Sequence, residues 1–379
     1  MQKPMYINNE PLTQSGLEWL MVEICTSYAG IDEVSGVATD KMLKHQQIAW
    51  VQSNFYKLLD FHKDAEEPTG YRSAVASLYA HHRGEPVSAV IHVDASNQAL
   101  QLFAVLLSCK ETAMLCNLAT GNIRQDAYTM IAEELNLMYS CSVFNRKNCK
   151  KALMTTLYGS TSQDKQLAGA IYKIDPHSEF IDEKIEELEA ELNEGMAQPI
   201  KLKAAFNEVM MKIAPSAMRA MKGMQSLNKL GREGYAWKMP DGFIINYWVR
   251  KDVKVSLDVD IEGVNVVLNA VDKKVYMPDD QSRAMAPNII HSIDGYIVRE
   301  LIVRLGSWVT STHDAFTCHV NDADRVISIY KDILVELMGS NLLNDVMSQI
   351  QADGKQIPFI PKANTLKEVH IREAVYAIY

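Results

Sequence analysis

The spacing of apolar residues divides the first 100 residues into helices and one buried strand. Apolar positions recur at helical period in GLEWLMVEICTSYAG and in DKMLKHQQIAWVQSNFYKLLDF, so residues 10–63 are predicted to be mostly helical. EEPTG at 66–70 predicts a turn. PVSAVIHVDAS at 86–96 is typical of a buried strand that ends in a polar elbow, and Ser96 is the predicted N-cap of the helix that follows.

The rest of the chain predicts more helices, a β-rich segment and a final strand–turn–strand. From MPDGF to about Tyr276, short β-like runs are separated by turn signals. MAPNIIHSIDGYIVRELIVRL is helical again, and SWVTSTHDAFTCHV predicts two strands joined by a turn at THDA. The fold class expected from this order is α+β and predominantly helical. Further helices are predicted at 124–140, 146–158, 179–194 and 201–230.

Composition narrows the class of protein. A chain of 379 residues with 47% hydrophobic residues can bury a large core in two or three subdomains. No apolar run approaches the ~20 residues that span a bilayer, and MQKPMYINNE resembles no export or transit signal. The six cysteines form no C-x-x-C pair, which favours free thiols in a reducing cytoplasm over disulfides or a zinc site.

The charge distribution is uneven. A formal net charge of −9 argues weakly against a nucleic-acid partner, because domains that bind nucleic acids are usually basic. Basic residues are nevertheless concentrated in NRKNCKK at 145–151, and much of the acidity lies in EFIDEKIEELEAELNE at 179–194. The acidic segment is expected to be a solvated helix, with a partner surface as the alternative.

Two aspartates carry the strongest chemical signal. Asp94 ends the buried strand, and Asp314 interrupts an apolar, β-branched run. A carboxylate buried between hydrophobic neighbours costs several kcal/mol unless a positive partner meets it. Two carboxylates from separate strands can hold two Mg²⁺ ions about 3.5–4 Å apart, as in-line phosphoryl transfer requires. The plainer alternatives are that Asp94 caps a helix and that Asp314 lies in a solvent-facing turn.

The predicted helix between these aspartates carries a cationic face. Arg146, Lys150, Met154 and Tyr158 follow one another at steps of four, and each step turns about 40°, so all four share one broad face. Such a face suits a polyphosphate with a base attached, because the cations bind phosphates and the ring stacks. A solvated face is the alternative. Together, the carboxylate, R-x3-K-x7-YG and HD in a hairpin match what nucleotidyl transfer needs.

These residues resemble the polymerases with a right-hand palm, which include family A DNA polymerases and the phage/mitochondrial single-subunit RNA polymerases. DASNQALQLF resembles motif A, RKNCKKALMTTLYGS resembles motif B and THDAF resembles motif C. The match is closer to the RNA polymerase branch. Its segment ahead of motif C is similar to MAPNIIHSIDG, and the entry of its promoter-reading hairpin is similar to MPDGFIINYW. The resemblance implies a palm with a small antiparallel sheet, helical fingers and a β-hairpin specificity loop.

The resemblance also implies a division of the chain. The expected parts are a helical N-terminal segment at 1–85, palm with motif A at 86–110, fingers at 111–290 with the motif B helix 146–158 and the β-hairpin 243–276, and palm with motif C and a C-terminal foot at 291–379.

Three positions favour ribonucleotides over deoxyribonucleotides. The DNA polymerases of this group carry a glutamate where this chain has Ala99, and that glutamate blocks a ribose 2′-OH. They also carry an aromatic residue where this chain has Met154, and a glutamate where it has Ala315. In the RNA branch, a tyrosine and a histidine matched by Tyr158 and His291 favour ribose, since a site that binds a hydroxyl rejects substrates without it.

The resemblance assigns further roles. Asp94 and Asp314 would hold two Mg²⁺ ions, while Arg146 and Lys150 would bind the triphosphate and stabilise charge on the leaving pyrophosphate.

Three more positions complete the implied site. Tyr158 and Gly159 would lie where the incoming base meets the template, and His291 would read sugar or minor-groove features. His313 would orient the motif C turn. A packed turn histidine and an ordinary structural hairpin remain the alternatives for His313 and for 243–276.

The chain departs from the family pattern in two ways. Ala95 and Ala99 replace glycines, Lys151 replaces arginine and Ala315 replaces serine, but no metal ligand or phosphate cation is lost. The template-binding D-x-x-G-R motif is not found, and its nearest string is PTGYR at 68–72. We therefore expect a second polypeptide that supplies the thumb and this motif in a heterodimeric RNA polymerase. The expected partners are a DNA template, an RNA product and ribonucleoside triphosphates, with no membrane, for a viral protein in a host cytoplasm.

Three other functions stay open at this point. A DNA polymerase or primase of the same palm fold is the main alternative. A metal phosphohydrolase built on His313 and Asp314, with His81 and His82 recruited, would leave motif B without a role. A non-catalytic subunit that binds nucleic acid is disfavoured by the intact motif residues.

Overall fold

The computed structural model describes residues 7–121, 123–227, 234–248, 250–261, 264–278, 284–350 and 359–379. These residues form helices over most of their length and three small antiparallel sheets, which confirms the predominantly helical α+β class. The helices are α1 (Gln14–Tyr28), α2 (Lys44–Ser53), α3 (Pro68–His82), α4 (Gln98–Leu106), α5 (Lys110–Leu115), α6 (Ala127–Tyr139), α7 (Arg146–Leu157), α8 (Gln163–Tyr172), α9 (Ile181–Leu192), α10 (Leu202–Ile213), α11 (Pro215–Ser226), α12 (Met285–Leu305), α13 (Ala323–Gly339), α14 (Leu342–Ile350) and α15 (Glu368–Glu373). The strands are β1 (Val90–Asp94), β2 (Gly234–Lys238), β3 (Ile244–Trp248), β4 (Arg250–Ile261), β5 (Val264–Pro278), β6 (Val309–Thr312) and β7 (Ala315–His319).

The chain forms two compact units. The first unit contains the described residues up to Ser96, Ile297–Ile333 and Ala377–Tyr379. The second unit contains the described residues of Asn97–Tyr296 and Leu334–Tyr376. The assignment of named polymerase subdomains to these segments stays a prediction.

A three-stranded antiparallel sheet organises the first unit. Its strand order is β1-β7-β6, with β7 in the centre. Along β1 the buried Ile91 and Val93 alternate with the exposed His92 and Asp94, as expected for a strand with one face on the core. α1 packs against β1 and α3. The sheet therefore offers one covered face and one accessible row of side chains that ends at Asp94.

The start of α3 corrects the turn predicted at 66–70. The helix begins at Pro68, which is its first residue. Proline is favoured at that position because the N–H that it lacks would have no partner inside the helix. Pro68 thus begins a helix instead of a turn.

A bundle of helices forms most of the second unit. The prediction of one long helix at 201–230 is wrong. The structure has two helices there: α10 ends at Ile213, and α11 begins at Pro215. Between them, Ala214 has φ −136° and ψ 54°, outside the helical region. A proline inside a helix removes one hydrogen bond and clashes with the preceding turn, so Pro215 starts a new helix.

The β-rich segment of the second unit forms two hairpins instead of the one expected at 243–276. β3 pairs with β2, whereas β4 pairs with β5 along the long hairpin. A Cβ added at Gly234 would lie 2.6 Å from the ring of Trp248, so only glycine fits opposite this indole. The long hairpin has one irregularity of register, between Asp252 and Val253.

Several local predictions agree with the structure, and one cap moves. α12 has the bounds that the sequence predicts, and SWVTSTHDAFTCHV forms β6, a turn and β7. The N-cap of α4 is Asn97 rather than Ser96, because the Asn97 side chain accepts a hydrogen bond from the N–H of Leu100 at 3.1 Å. All six cysteines are free thiols. Among the described helices, none combines the length and apolarity needed to cross a bilayer.

Candidate active site

The first unit brings the two aspartates together. Asp94 is the last residue of β1, and its Cα lies opposite that of Ala315, the first residue of β7. Directly opposed residues of an antiparallel pair have Cα atoms about 4.5–5.5 Å apart, and consecutive Cα atoms are about 3.8 Å apart. The Cα atoms of Asp94 and Asp314 therefore lie within about 9 Å of each other. Asp94 does not cap α4, because Asn97 does.

The turn between β6 and β7 consists of His313 and Asp314 alone. Thr312 and Ala315 pair across it, and His313 has a left-handed φ of 55°. A positive φ is typical of two-residue hairpin turns and is uncommon for a residue with a side chain. Asp314 is half-buried and His313 is exposed. Asp314 thus lies in the turn that the sequence predicts at THDA, and this turn leaves its side chain only partly buried.

The last residues of the chain complete the edge of β1. The N–H of Asp94 donates to the carbonyl of Tyr379 at 3.1 Å, and the N–H of Tyr379 donates to the carbonyl of Asp94 at 3.0 Å. The Tyr379 ring lies 5.8 Å from the ring of Trp19 on α1. Tyr379 thus satisfies backbone groups of Asp94 that an edge strand would otherwise expose.

A buried glutamate, which the sequence did not single out, anchors the same strand. Glu23 on α1 is 3% exposed, and its carboxylate accepts hydrogen bonds from the N–H of His92 at 3.0 Å and from His92 Nδ1 at 2.9 Å. The hydrogen bond to Glu23 raises the pKa of His92. The available signal was an acidic residue inside the apolar stretch of α1, but its partner is on a distant strand.

The motif B helix in the second unit presents the expected face. Arg146, Lys150 and Met154 are exposed, whereas the opposite face of α7 is buried. Asn145 caps the helix by accepting hydrogen bonds from the N–H groups of its second and third residues at 2.9 and 3.1 Å. The helix ends at Leu157, so Tyr158 is its C-cap.

Arg146 has a protein partner. Its Nε lies 2.6 Å from Oδ2 of Asp126, the residue that caps α6, and its guanidinium lies 5.3 Å from the ring of Tyr128. The side chain of Arg146 is still about half exposed. A triphosphate would therefore have to compete with Asp126 for this guanidinium, whereas Lys150 lies exposed on the same face.

Tyr158 and His291 form a stack in the second unit. Their ring centroids are 5.0 Å apart, with an angle of 13° between the planes. Gly159 follows with a φ of 88°, which favours glycine, and its carbonyl accepts a hydrogen bond from Gln225 Nε2 at 3.2 Å. A cleft of about 680 Å³ is lined by Met154, Tyr158 and Gly159, together with Thr155, Ser160–Ser162 and Ala284. That volume suits a small molecule such as a nucleotide.

Ala99 lies in the first turn of α4, next to a buried polar pair. Its exposed fraction is 4%, so its methyl group is packed inside the second unit. The amide of Gln98 donates to the carboxylate of Asp294 on α12, and both side chains are buried. The packing around Ala99 leaves its role at the ribose a prediction.

The structure thus assembles two sets of residues, one in each unit. The first unit holds Asp94, His313 and Asp314 on one sheet. The second unit holds the exposed cations of α7 and the stack of Tyr158 on His291. The first set offers carboxylate oxygens, which hard cations prefer, and the second offers phosphate partners and an aromatic platform.

Comparison with known proteins gives one consistent result. A family model described as DNA-dependent RNA polymerase matches residues 10–376. Arabidopsis thaliana DNA-directed RNA polymerase 1, mitochondrial, is 26% identical over 94% of this chain and 38% of its own length. Nicotiana tabacum DNA-directed RNA polymerase 3B, chloroplastic, is 23% identical over 98% of this chain and 40% of its own length. The chain thus spans about two fifths of the length of these relatives.

Proposed function

The chain belongs to the DNA-dependent RNA polymerase family of the phage and mitochondrial single-subunit type, and we propose that it carries the catalytic centre of such an enzyme. In this proposal it joins ribonucleotides to a growing RNA chain on a DNA template. The observation that carries the proposal is the pairing of β1 with β7, which brings Asp94 and Asp314 to one end of one sheet. The two aspartates are far apart in the sequence, so this proximity is a property of the fold.

The donor set fits the divalent cation that the family implies. Asp94 is exposed and Asp314 is half-buried, so both carboxylates are accessible to an ion. Carboxylate oxygens are the ligands that Mg²⁺ prefers, and in this proposal Asp94 and Asp314 hold two ions. Bound Mg²⁺ supplies activation of the attacking hydroxyl and neutralisation of the charge on the leaving group.

The cationic face of α7 performs the second part of the reaction. Lys150 binds the phosphates of the incoming nucleotide and stabilises the negative charge that develops on the leaving pyrophosphate. Arg146 does the same once the phosphates displace Asp126 from its guanidinium.

Selection of ribose is assigned to the second unit. Tyr158 offers a phenol hydroxyl, and its ring is held in a defined orientation by the stack on His291. A hydroxyl that binds the sugar discriminates against a sugar without one. Gly159 adopts a backbone conformation that favours glycine next to this ring, and Ala99 carries no carboxylate that could obstruct a 2′-OH. His313, at the turn before Asp314, orients that turn.

The proposal also covers the contacts with DNA and the remaining parts of the enzyme. In this proposal the β4–β5 hairpin contacts upstream DNA, and the second polypeptide expected to supply the thumb and the D-x-x-G-R motif stays a prediction. Processive transcription by the purified chain alone would disprove the need for that second polypeptide. The names of the relatives place those proteins in plant organelles, while a viral origin and action in a host cytoplasm stay predictions for this chain.

Extension of a primed DNA template tests the proposed substrate. The chain is purified with any protein that co-purifies from its native cell and is given ribo- or deoxyribonucleoside triphosphates in parallel. We expect incorporation of ribonucleotides at a kcat/KM at least ~100-fold higher than that of deoxyribonucleotides. A preference for deoxyribonucleotides would instead favour a DNA polymerase of the same fold and would reject the arguments from Ala99 and Tyr158.

A further inference from the structure

We infer that Glu23 is a positioning residue, which fixes the outer edge of β1 and thereby holds Asp94 in place. This inference rests on the proposed function, because it concerns the geometry of that active site. Glu23 touches no reacting group in this account and acts only through His92 and the backbone of β1.

The direction of the backbone groups explains why β1 needs such an anchor. Among the described strands, β1 pairs only with β7. The N–H of Asp94 points away from β7, since it donates to the carbonyl of Tyr379. His92 precedes Asp94 by two residues, so its N–H points the same way. Glu23 Oε2 accepts this N–H at 3.0 Å, and Glu23 and Tyr379 therefore occupy successive outward N–H groups of one edge.

The carboxylate of Glu23 holds the side chain of His92 as well as its backbone. Its Oε1 lies 2.9 Å from His92 Nδ1 and 3.1 Å from Ser27 Oγ. The carboxylate oxygen accepts in this contact, so Nδ1 is the donor. Glu23 is 3% exposed, whereas the side chain of His92 is about half exposed. Two of its three hydrogen bonds go to one residue of β1, which ties the strand to α1.

His92 and Asp94 share the accessible face of β1. Positions two apart along a strand point to the same side and lie about 7 Å apart. Catalytic residues have to be held to within about 0.5 Å of their productive positions. Mutation of a residue that orients a metal ligand commonly lowers metal affinity or activity about 10- to 100-fold. A loosened edge at His92 would displace Asp94, the next residue on the same face.

The decisive variant is Glu23→Gln, with Ser27→Ala as the matched control. Glutamine replaces one carboxylate oxygen by an NH₂ group, which cannot accept from the backbone N–H of His92 and can pair with Nδ1 only if the imidazole changes tautomer. Ser27 donates a hydrogen bond to the same carboxylate, but this bond lies within α1 and does not hold β1. In the assembled enzyme we expect E23Q to lower kcat about 10- to 100-fold, with KM for the nucleotide changed less than about two-fold. S27A should change both constants less than about two-fold.

Rescue separates positioning from mere loss of stability. His92→Asn places an amide N–H where Nδ1 lies, so H92N should keep kcat within about five-fold, whereas H92L should lose as much as E23Q. An equal loss in H92N and H92L, or an equal loss in S27A and E23Q, would overturn the inference. So would a kcat of E23Q within about two-fold of the wild type.

Two readouts do not require polymerisation. Hydrogen–deuterium exchange of the peptide that covers 88–96 should be about ten-fold faster in E23Q than in S27A. Binding of Mn²⁺ to the full chain, followed by its electron paramagnetic resonance signal, should be weakened in E23Q at least ~10-fold. If the wild type failed to polymerise, the proposed function would fail, while these two changes would still support the anchoring of Asp94. Unchanged exchange and unchanged Mn²⁺ binding in E23Q would overturn it.

Discussion

Replacement of Tyr158 by phenylalanine removes one hydroxyl and leaves the ring in its place. The ring centroids of Tyr158 and His291 are 5.0 Å apart and nearly parallel, and this stack does not depend on the phenol oxygen. The proposed function assigns that oxygen one hydrogen bond to the ribose. A net hydrogen bond is worth about 0.5–1.5 kcal/mol, which corresponds to a factor of about 2–13 in relative rate.

Single-nucleotide incorporation measures this factor directly. The ratio of kcat/KM for a ribonucleotide to that for the matching deoxyribonucleotide should fall about 2- to 13-fold in Y158F. The ribonucleotide kcat/KM itself should fall by no more than this factor. The control Tyr158→Leu also removes the stack on His291, worth about 0.5–1.5 kcal/mol, so it should slow both substrates. An unchanged ratio in Y158F would refute the role of this hydroxyl in choosing the sugar.

Two further predictions concern the stability of the first unit. Burial raises the pKa of Asp324, but hydrogen bonds from Ser15 and Trp19 outweigh burial, and the pKa is lowered overall. Asp324 therefore stabilises the fold above its unfolded pKa of about 3.9, and this contribution is lost as the pH falls through the folded pKa. Thermal melts between pH 6 and pH 2.5 should therefore show a smaller acid-induced fall in Tm for Asp324→Asn than for the wild type, and an equal fall would contradict this. Phe316 on β7 is fully buried, so Phe316→Ala should lower the free energy of unfolding by about 3–5 kcal/mol in denaturant titrations, and a loss below ~1 kcal/mol would contradict the packing described here.

Local patterns in the sequence predicted the elements whose signals lie within a few residues. Strand-like sequence on both sides of THDA, with the polar pair His313 and Asp314 between, predicts a hairpin without reference to the rest of the fold. α12 was equally clear, because its apolar spacing runs unbroken from Met285 to Leu305.

The errors arose where one local signal opposed another or where a distant partner decides. Helical spacing continues on both sides of Pro215, but the missing N–H of proline ends the first helix. β3 pairs with β2 instead of joining the long hairpin, and the sequence analysis did not predict β2, GYAWK, as a strand.

The candidate site was only partly accessible to the same reasoning. Motif spacing identified Asp94, Asp314 and the face of α7. The contact of Glu23 with His92 joins a helix to a strand about 70 positions away, and no local pattern reports such a contact. The ion pair between Arg146 and Asp126 was missed for a similar reason.

Substitution of Asp94 and Asp314 tests whether these two carboxylates form the catalytic centre. Asp314→Asn and Asp94→Asn keep the shape of each side chain but remove the charge that binds Mg²⁺. Asp60→Asn, at an exposed carboxylate in the first unit, is the matched control. We predict that D314N and D94N each lower the rate of ribonucleotide incorporation by at least ~100-fold at unchanged Tm, whereas D60N stays within about two-fold. Incorporation by D314N or D94N at a rate close to that of D60N would show that the reaction does not need these carboxylates.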